Sequence, residues 1–161
     1  MDWEEFEKRL FDQLVTLPER VICVIGQGDD QEPFIQFAGV HAFHNRSMEI
    51  IAGFQDDTMF DRKFTPEEEA LFVECDFERR GTDPTYWEQD IPWPPSGQAL
   101  AKVLRSFMVR LRDIAAIPSP DELTYVAWKN AGYGIGQYSE EYYGKERNFT
   151  LHQLGLRKVE T

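Results

Sequence analysis

His41 and His44 stand three apart beside a predicted strand. In an extended chain that odd offset sends two side chains to opposite faces, so they share a metal only if a turn intervenes. No Cys or acidic residue at a ligand spacing completes the set. Asp56, Asp57 and Asp61 offer hard oxygen ligands, but the central Gly and terminal Glu of a calcium loop are missing. They read as a solvated loop leading into the next helix. The stretch Gly132-Tyr133-Gly134-Ile135-Gly136 resembles a phosphate loop only in glycine content, with neither the dinucleotide spacing nor a Gly-Lys-Ser/Thr ending. Cys23 shares its strand face with Val21 and Ile25, and burial leaves a thiol inert. Ser47, Ser96, Ser106, Ser119 and Ser139 have no nucleophile-elbow frame and read as turn, cap or surface residues. These residues point to no catalytic centre, no metal and no cofactor.

The unusual feature is the aromatic load, 12 Phe, 6 Tyr and 4 Trp, with several members at segment ends. Trp3, Phe34, Trp87 and Trp93 are either core and rim residues or parts of an apolar patch that binds another chain. Charge narrows the partner. With 17 Lys+Arg against 29 Asp+Glu, the net charge of −12 repels phosphate backbones and anionic lipid, so neither nucleic acid nor a membrane is expected. A basic or amphipathic protein client is favoured instead. Two cysteines, Cys23 and Cys75, allow at most one bridge, and Met1-Asp2-Trp3-Glu4-Glu5 carries acid where a secretory signal carries Lys or Arg. The expected location is the cytoplasm.

The elements that must position these side chains follow from periodicity. Trp3, Phe6, Leu10, Leu14 and Leu17 recur every three or four residues and predict an amphipathic helix that Pro18 stops. The runs 21–25, 33–38 and 48–54 predict three strands of an antiparallel meander, the first two joined by a Gly/Asp turn. Thr65-Pro66-Glu67-Glu68 predicts a short helix with a capping box, ending near Phe72 or Val73. Segments 75–78 and 86–91 predict two more strands across the Gly81-Thr82-Asp83-Pro84 turn. Ser96 caps a long helix with Leu100, Val103, Leu104, Phe107, Leu111 and Ile114 on one face and Lys102, Arg105, Arg110 and Arg112 on the other, ending before Pro118. Residues 123–128 suit one more strand or an extended segment packed over the core. The fold class is α+β, with a domain over residues 1–129 and a Gly/Tyr-rich C-terminal extension over 130–161.

This order resembles the fold of type III secretion chaperones, and several stretches resemble the bacterial TY-Chap group of peptide-binding domains related to those chaperones and to the YbjN proteins. The stretches are the helix from Phe6 to Leu17-Pro18, the strand Phe34-Ile35-Gln36-Phe37-Ala38, and Tyr86-Trp87 before Ile91-Pro92-Trp93-Pro94. The last is the long helix with Leu111-Arg112-Asp113 running into Ile117-Pro118-Ser119-Pro120-Asp121-Glu122-Leu123-Thr124-Tyr125. Glu74-Cys75-Asp76-Phe77 and Tyr86-Trp87 depart from the Leu-Gly-Trp-like turn and the Asn-Trp more typical of the group. The resemblance implies no catalysis: a client peptide or protein segment, extended or partly folded, is held on apolar surface of the sheet and first helix, commonly by a homodimer. Trp3, Phe6, Phe34, Phe37, Trp87 and Trp93 are the residues expected to bind it. A competing expectation is an acidic inhibitor or immunity-type protein that neutralises a basic partner, with carboxylates rather than aromatics as hot spots.

Overall fold

A computed structural model describes residues 1–41, 48–59, 61–129 and 149–160. Helix α1 spans Trp3–Val15 and begins where the Asp2 carboxylate accepts the Glu5 N–H, with Glu4 and Glu5 in the positive first turn. Its buried stripe is Phe6, Leu10, Gln13 and Leu14. Leu17 is also buried, and the chain then turns through Pro18 into the sheet.

Strands β1 (Val21–Gln27), β2 (Phe34–His41) and β3 (Met48–Gln55) form the predicted antiparallel meander. Strands β4 (Glu78–Arg80), β5 (Tyr86–Pro92), β6 (Leu123–Lys129) and β7 (Arg157–Lys158) extend it to seven strands in the order β4-β5-β3-β2-β1-β6-β7. Every pairing is antiparallel except β6 with β7. The segment at 123–128 is therefore a central strand beside β1, which puts its apolar residues into the sheet rather than over it.

Side chains alternate across a strand, so the register assigns each residue to a face. One face carries Val21, Cys23 and Ile25, then Ile35 and Phe37, Ile50, Ala52 and Phe54, Trp87 and Ile91, and Tyr125 and Ala127, all buried. The helices cover this face. Phe72 from α2 (Pro66–Glu74) lies 4.8 Å from Phe54, ring centroid to centroid, and Phe107 from α3 (Gly97–Met108) lies 6.4 Å from it.

Helix α2 opens with the predicted capping box: Thr65 accepts the Glu68 N–H, Glu68 accepts the Thr65 N–H, and Pro66 occupies the first turn. Both Glu68 oxygens also receive Arg62, each at 2.6 Å. The Arg62 guanidinium, helped by the Thr65 amide, holds the Glu68 carboxyl well below its ordinary 4.5, at about 2. A carboxylate depressed in the folded state adds stability that is complete above its unfolded pKa and is lost as pH falls toward the folded one. Glu68→Gln should therefore be less stable than wild type at about pH 6, with the difference closing between about pH 5 and pH 2. Urea unfolding across that range checks it; a gap independent of pH would be the contrary result.

Three local expectations are corrected. The helix runs on to Glu74, Cys75 caps it, and Asp76 takes a left-handed φ of 70°, so β4 starts only at Glu78 instead of at Cys75. The predicted long helix changes to a π-helical stretch over Val109–Ile114. Arg110, three residues on from Phe107 and seven from Val103, lies on the apolar face and not on the solvent face, wholly buried against the buried Asp61 side chain, which is therefore not in a solvated loop. Within the extension, residues 149–160 contribute β7 and the core residues Leu151 and Leu154, because the Tyr125 hydroxyl accepts the Leu151 N–H and the Ala127 carbonyl accepts that of Phe149.

Candidate functional site

The residues expected to bind a client fall in three environments. Phe6, Phe37 and Trp87 are core side chains, at most 3% exposed, and offer no surface to a partner in this state. Trp87 is committed further: its indole N–H donates to Asp56 at 3.1 Å and the Arg79 guanidinium lies 4.9 Å from its ring centroid. Trp3 and Trp93 are half-buried at the rim of the same core, Trp3 edge-on to Phe6 at 5.9 Å. Phe34 alone among the six lies on the opposite face of the sheet, half-buried beside Tyr86 with ring centroids 6.4 Å apart.

That second face carries no helix among the described residues, and the register reads it out in rows that cross the strands. One row is Trp128, Ile22, Ala38, Ile51 and Asp90; the next is Val126, Val24, Gln36, Gly53 and Glu88. A third joins Val40, Glu49 and Pro92, and a fourth joins Gly26, Phe34, Gln55 and Tyr86. The apolar side chains Ile22, Val24, Val40, Ile51, Val126 and Trp128 are half-buried, touching strand neighbours, with no second layer over them among the described residues. At one end the β1–β2 connection folds back over the sheet: a Cβ on Gly26 would stand 2.4 Å from the Gln31 carbonyl oxygen, which only glycine avoids. At that end the Gln55 side-chain oxygen also accepts the Phe34 N–H, tying β2 to β3.

The sheet edges offer a client much less. Strand β7 is two residues long and β4 three. Beyond β4 the outer edge of β5 is bare over Gln89–Pro92 among the described residues. There the Trp93 N–H donates inward to Met48, so alternation turns the Asp90 N–H outward, and Pro92, the next outward position, has no N–H to give. Strand addition needs a row of free donors, and this edge supplies one.

Among the described residues no cluster of three or more His, Cys, Asp or Glu could hold a metal ion. His44 and the glycines 132–136 lie outside the described residues. Cys23 is buried between β2 and β6, and burial pushes its thiol pKa far up, away from a nucleophilic thiolate. No helix of the described residues is long and apolar enough to cross a membrane.

Ile22, Val24, Val126, Trp128, Glu49 and Glu88 were not singled out by sequence reasoning as contact residues. A signal was present in the unbroken apolar run Val21-Ile22-Cys23-Val24-Ile25. A strand buried on one face alone alternates with polar residues, so a continuous run marks a strand whose second face is apolar too.

The described residues thus form a seven-stranded sheet with helices on one face and an apolar second face that no described helix covers. The family model TY-Chap3, described as T3SS (YopN, CesT) and YbjN peptide-binding chaperone 3, matches residues 1–129, and the chain belongs to that family. No curated protein and no solved structure matches the chain.

Proposed function

We propose that this protein is a non-catalytic, chaperone-like domain of the cytoplasm that holds an extended or partly folded client segment on the face of its sheet that no described helix covers. The observation that carries the reading is that face: half-buried Ile22, Val24, Ile51, Val126 and Trp128, in a chain of a peptide-binding chaperone family. A soluble domain leaves such contiguous apolar surface open where it meets a partner. Phe34 extends the surface toward the β1–β2 connection, Trp3 and Trp93 could add contacts from the rim, and Phe6, Phe37 and Trp87 support it from behind. Shared descent with the secretion chaperones favours a homodimer, which light scattering checks.

The test places a photo-crosslinking side chain at Ile22 or Val126, with one at Val73 as control, since Val73 is 62% exposed on α2 and remote from the face. In host lysate, positions 22 and 126 should label short segments of a client while position 73 does not. Equal labelling from all three positions would overturn the placement. A single basic partner, released by salt and dependent on carboxylates away from this face, would replace the reading with the inhibitor one.

A further inference from the structure

We infer that the segment this face accepts is basic and amphipathic, with its apolar side chains over β1 and β6 and its lysines or arginines over β3 and β5. The inference rests on the proposed function and adds the chemistry of the client. The surface is polarised across the strands: the β6 and β1 end of the rows is Trp128, Ile22, Val126 and Val24, whereas the β3 and β5 end is Glu49, Glu88 and Asp90. The carboxylates at that end are not equivalent. Asp90 is neutralised by Arg80, which also reaches Glu78, but Glu49 and Glu88 form no ion pair with any described residue.

Both stand next to apolar groups, Glu49 beside Val40 and Pro92, Glu88 beside Gly53, and both are half-buried. A Cβ on Gly53 would come within 2.8 Å of the Glu88 Cγ, so the stem of Glu88 lies down over Gly53 along the sheet. On the same face Arg80 is engaged by Asp90 and Glu78, and Arg157 by Asp29. Lys129, opposite Val21, and Arg79, opposite Trp87, belong to the helix-covered side. Two carboxylates with no ion-pair partner among the described residues, at one end of an apolar field, thus complement a cationic group joined to an apolar one.

The span gives the size of the segment. From β6 to β5 is four strand spacings of about 4.8 Å, about 19 Å, which an extended chain at about 3.3 Å per residue crosses in about six residues.

The experiment uses the full chain and two labelled peptides of about twelve residues, one with a Leu/Ser half followed by a Lys/Ser half, the other with Glu for every Lys; affinities come from fluorescence anisotropy. At low salt the Lys peptide should bind about tenfold more tightly than the Glu peptide, and the preference should shrink as salt shortens the screening length. The double variant Glu49→Lys/Glu88→Lys, with its circular dichroism spectrum unchanged, should reverse the order. A Lys preference that survives the double variant would overturn the inference, because it would stem from net charge and not from this face. Equal binding of both peptides, weakened for both by Val24→Ser, would overturn the charge inference while leaving the proposed function standing. Binding of neither peptide, with crosslinks still formed from positions 22 and 126, would have the same meaning.

Discussion

Arg110→Leu is expected to cost about 3 to 5 kcal/mol of folding free energy, because it leaves the Asp61 carboxylate buried without its counter-charge. The side chains of Arg110 and Asp61 are 0% and 1% exposed and meet at 2.6 Å. Neither of the two meeting atoms, Arg110 Nη1 and Asp61 Oδ2, has a hydrogen-bond partner elsewhere, so each depends on the other. The guanidinium also donates to the carbonyls of Gln55 at 3.2 Å and Asp56 at 3.3 Å and lies 5.1 Å from the Phe64 ring centroid. Burial lowers the Arg110 pKa, and Asp61, with Asp57 and Asp56, works against that shift. An arginine nevertheless stays protonated in a protein, so the carboxylate always faces a cation. Asp61→Leu should cost a similar amount, and the double variant Arg110→Leu/Asp61→Leu much less than the sum, since no uncompensated charge then remains. Urea unfolding of the four proteins measures this. Additive losses would show that the pair is not coupled. The pair also matters to the candidate surface, because Gln55 accepts from Arg110 through its backbone and from Phe34 through its side chain.

Phe54→Ala should destabilise the protein by about 3 to 5 kcal/mol through the cavity it leaves. Phe54 is fully buried, with ring centroids 4.8 Å from Phe72, 5.0 Å from Phe77 and 6.4 Å from Phe107. Phe72 passes the contact on to Trp87 at 5.4 Å and Phe64 at 5.5 Å. This cluster fastens α2 and α3 to β3 and β5, and strands β3 and β5 carry the carboxylate end of the opposite face. The denaturation midpoint should fall accordingly, while Val73→Ala on the exposed side of α2 should change stability by no more than about 0.5 kcal/mol. A loss at Phe54 below about 1.5 kcal/mol would mean that the surrounding rings close over the gap.

The parts of the fold legible in the sequence are those governed by near neighbours. The stripe of Phe6, Leu10 and Leu14 needs only the helical repeat, and Thr65-Pro66-Glu67-Glu68 needs only backbone groups within one turn. The short runs 21–25, 33–38 and 48–54 announced β1 to β3 by branching and by the turn between the first two. The family resemblance over the same region agrees with the family match over residues 1–129. Less legible were sites where a distant residue decides. Asp76 adopts a left-handed conformation to bring the end of α2 to the edge of the sheet, and Arg110 keeps its charge on the buried face of its helix because Asp61 meets it there. Leu151 and Leu154 become core residues only because β6 and α1 offer them a surface.

The same division holds for function. Composition alone set the expectation against nucleic acid and anionic lipid as partners, since a net charge of −12 acts at long range whatever the fold. The aromatic content announced a large core and suggested a contact surface without saying which rings belong to which. Only the tertiary structure could assign Phe37 and Trp87 to one face and Phe34, Val24 and Trp128 to the other. Strands β1 and β6 carry apolar side chains on both faces, and which face the helices cover is set by the packing of α1, α2 and α3. Phe54, Phe72 and Phe107 interlock on one side of β3, and the surface that remains is the one proposed to hold a client.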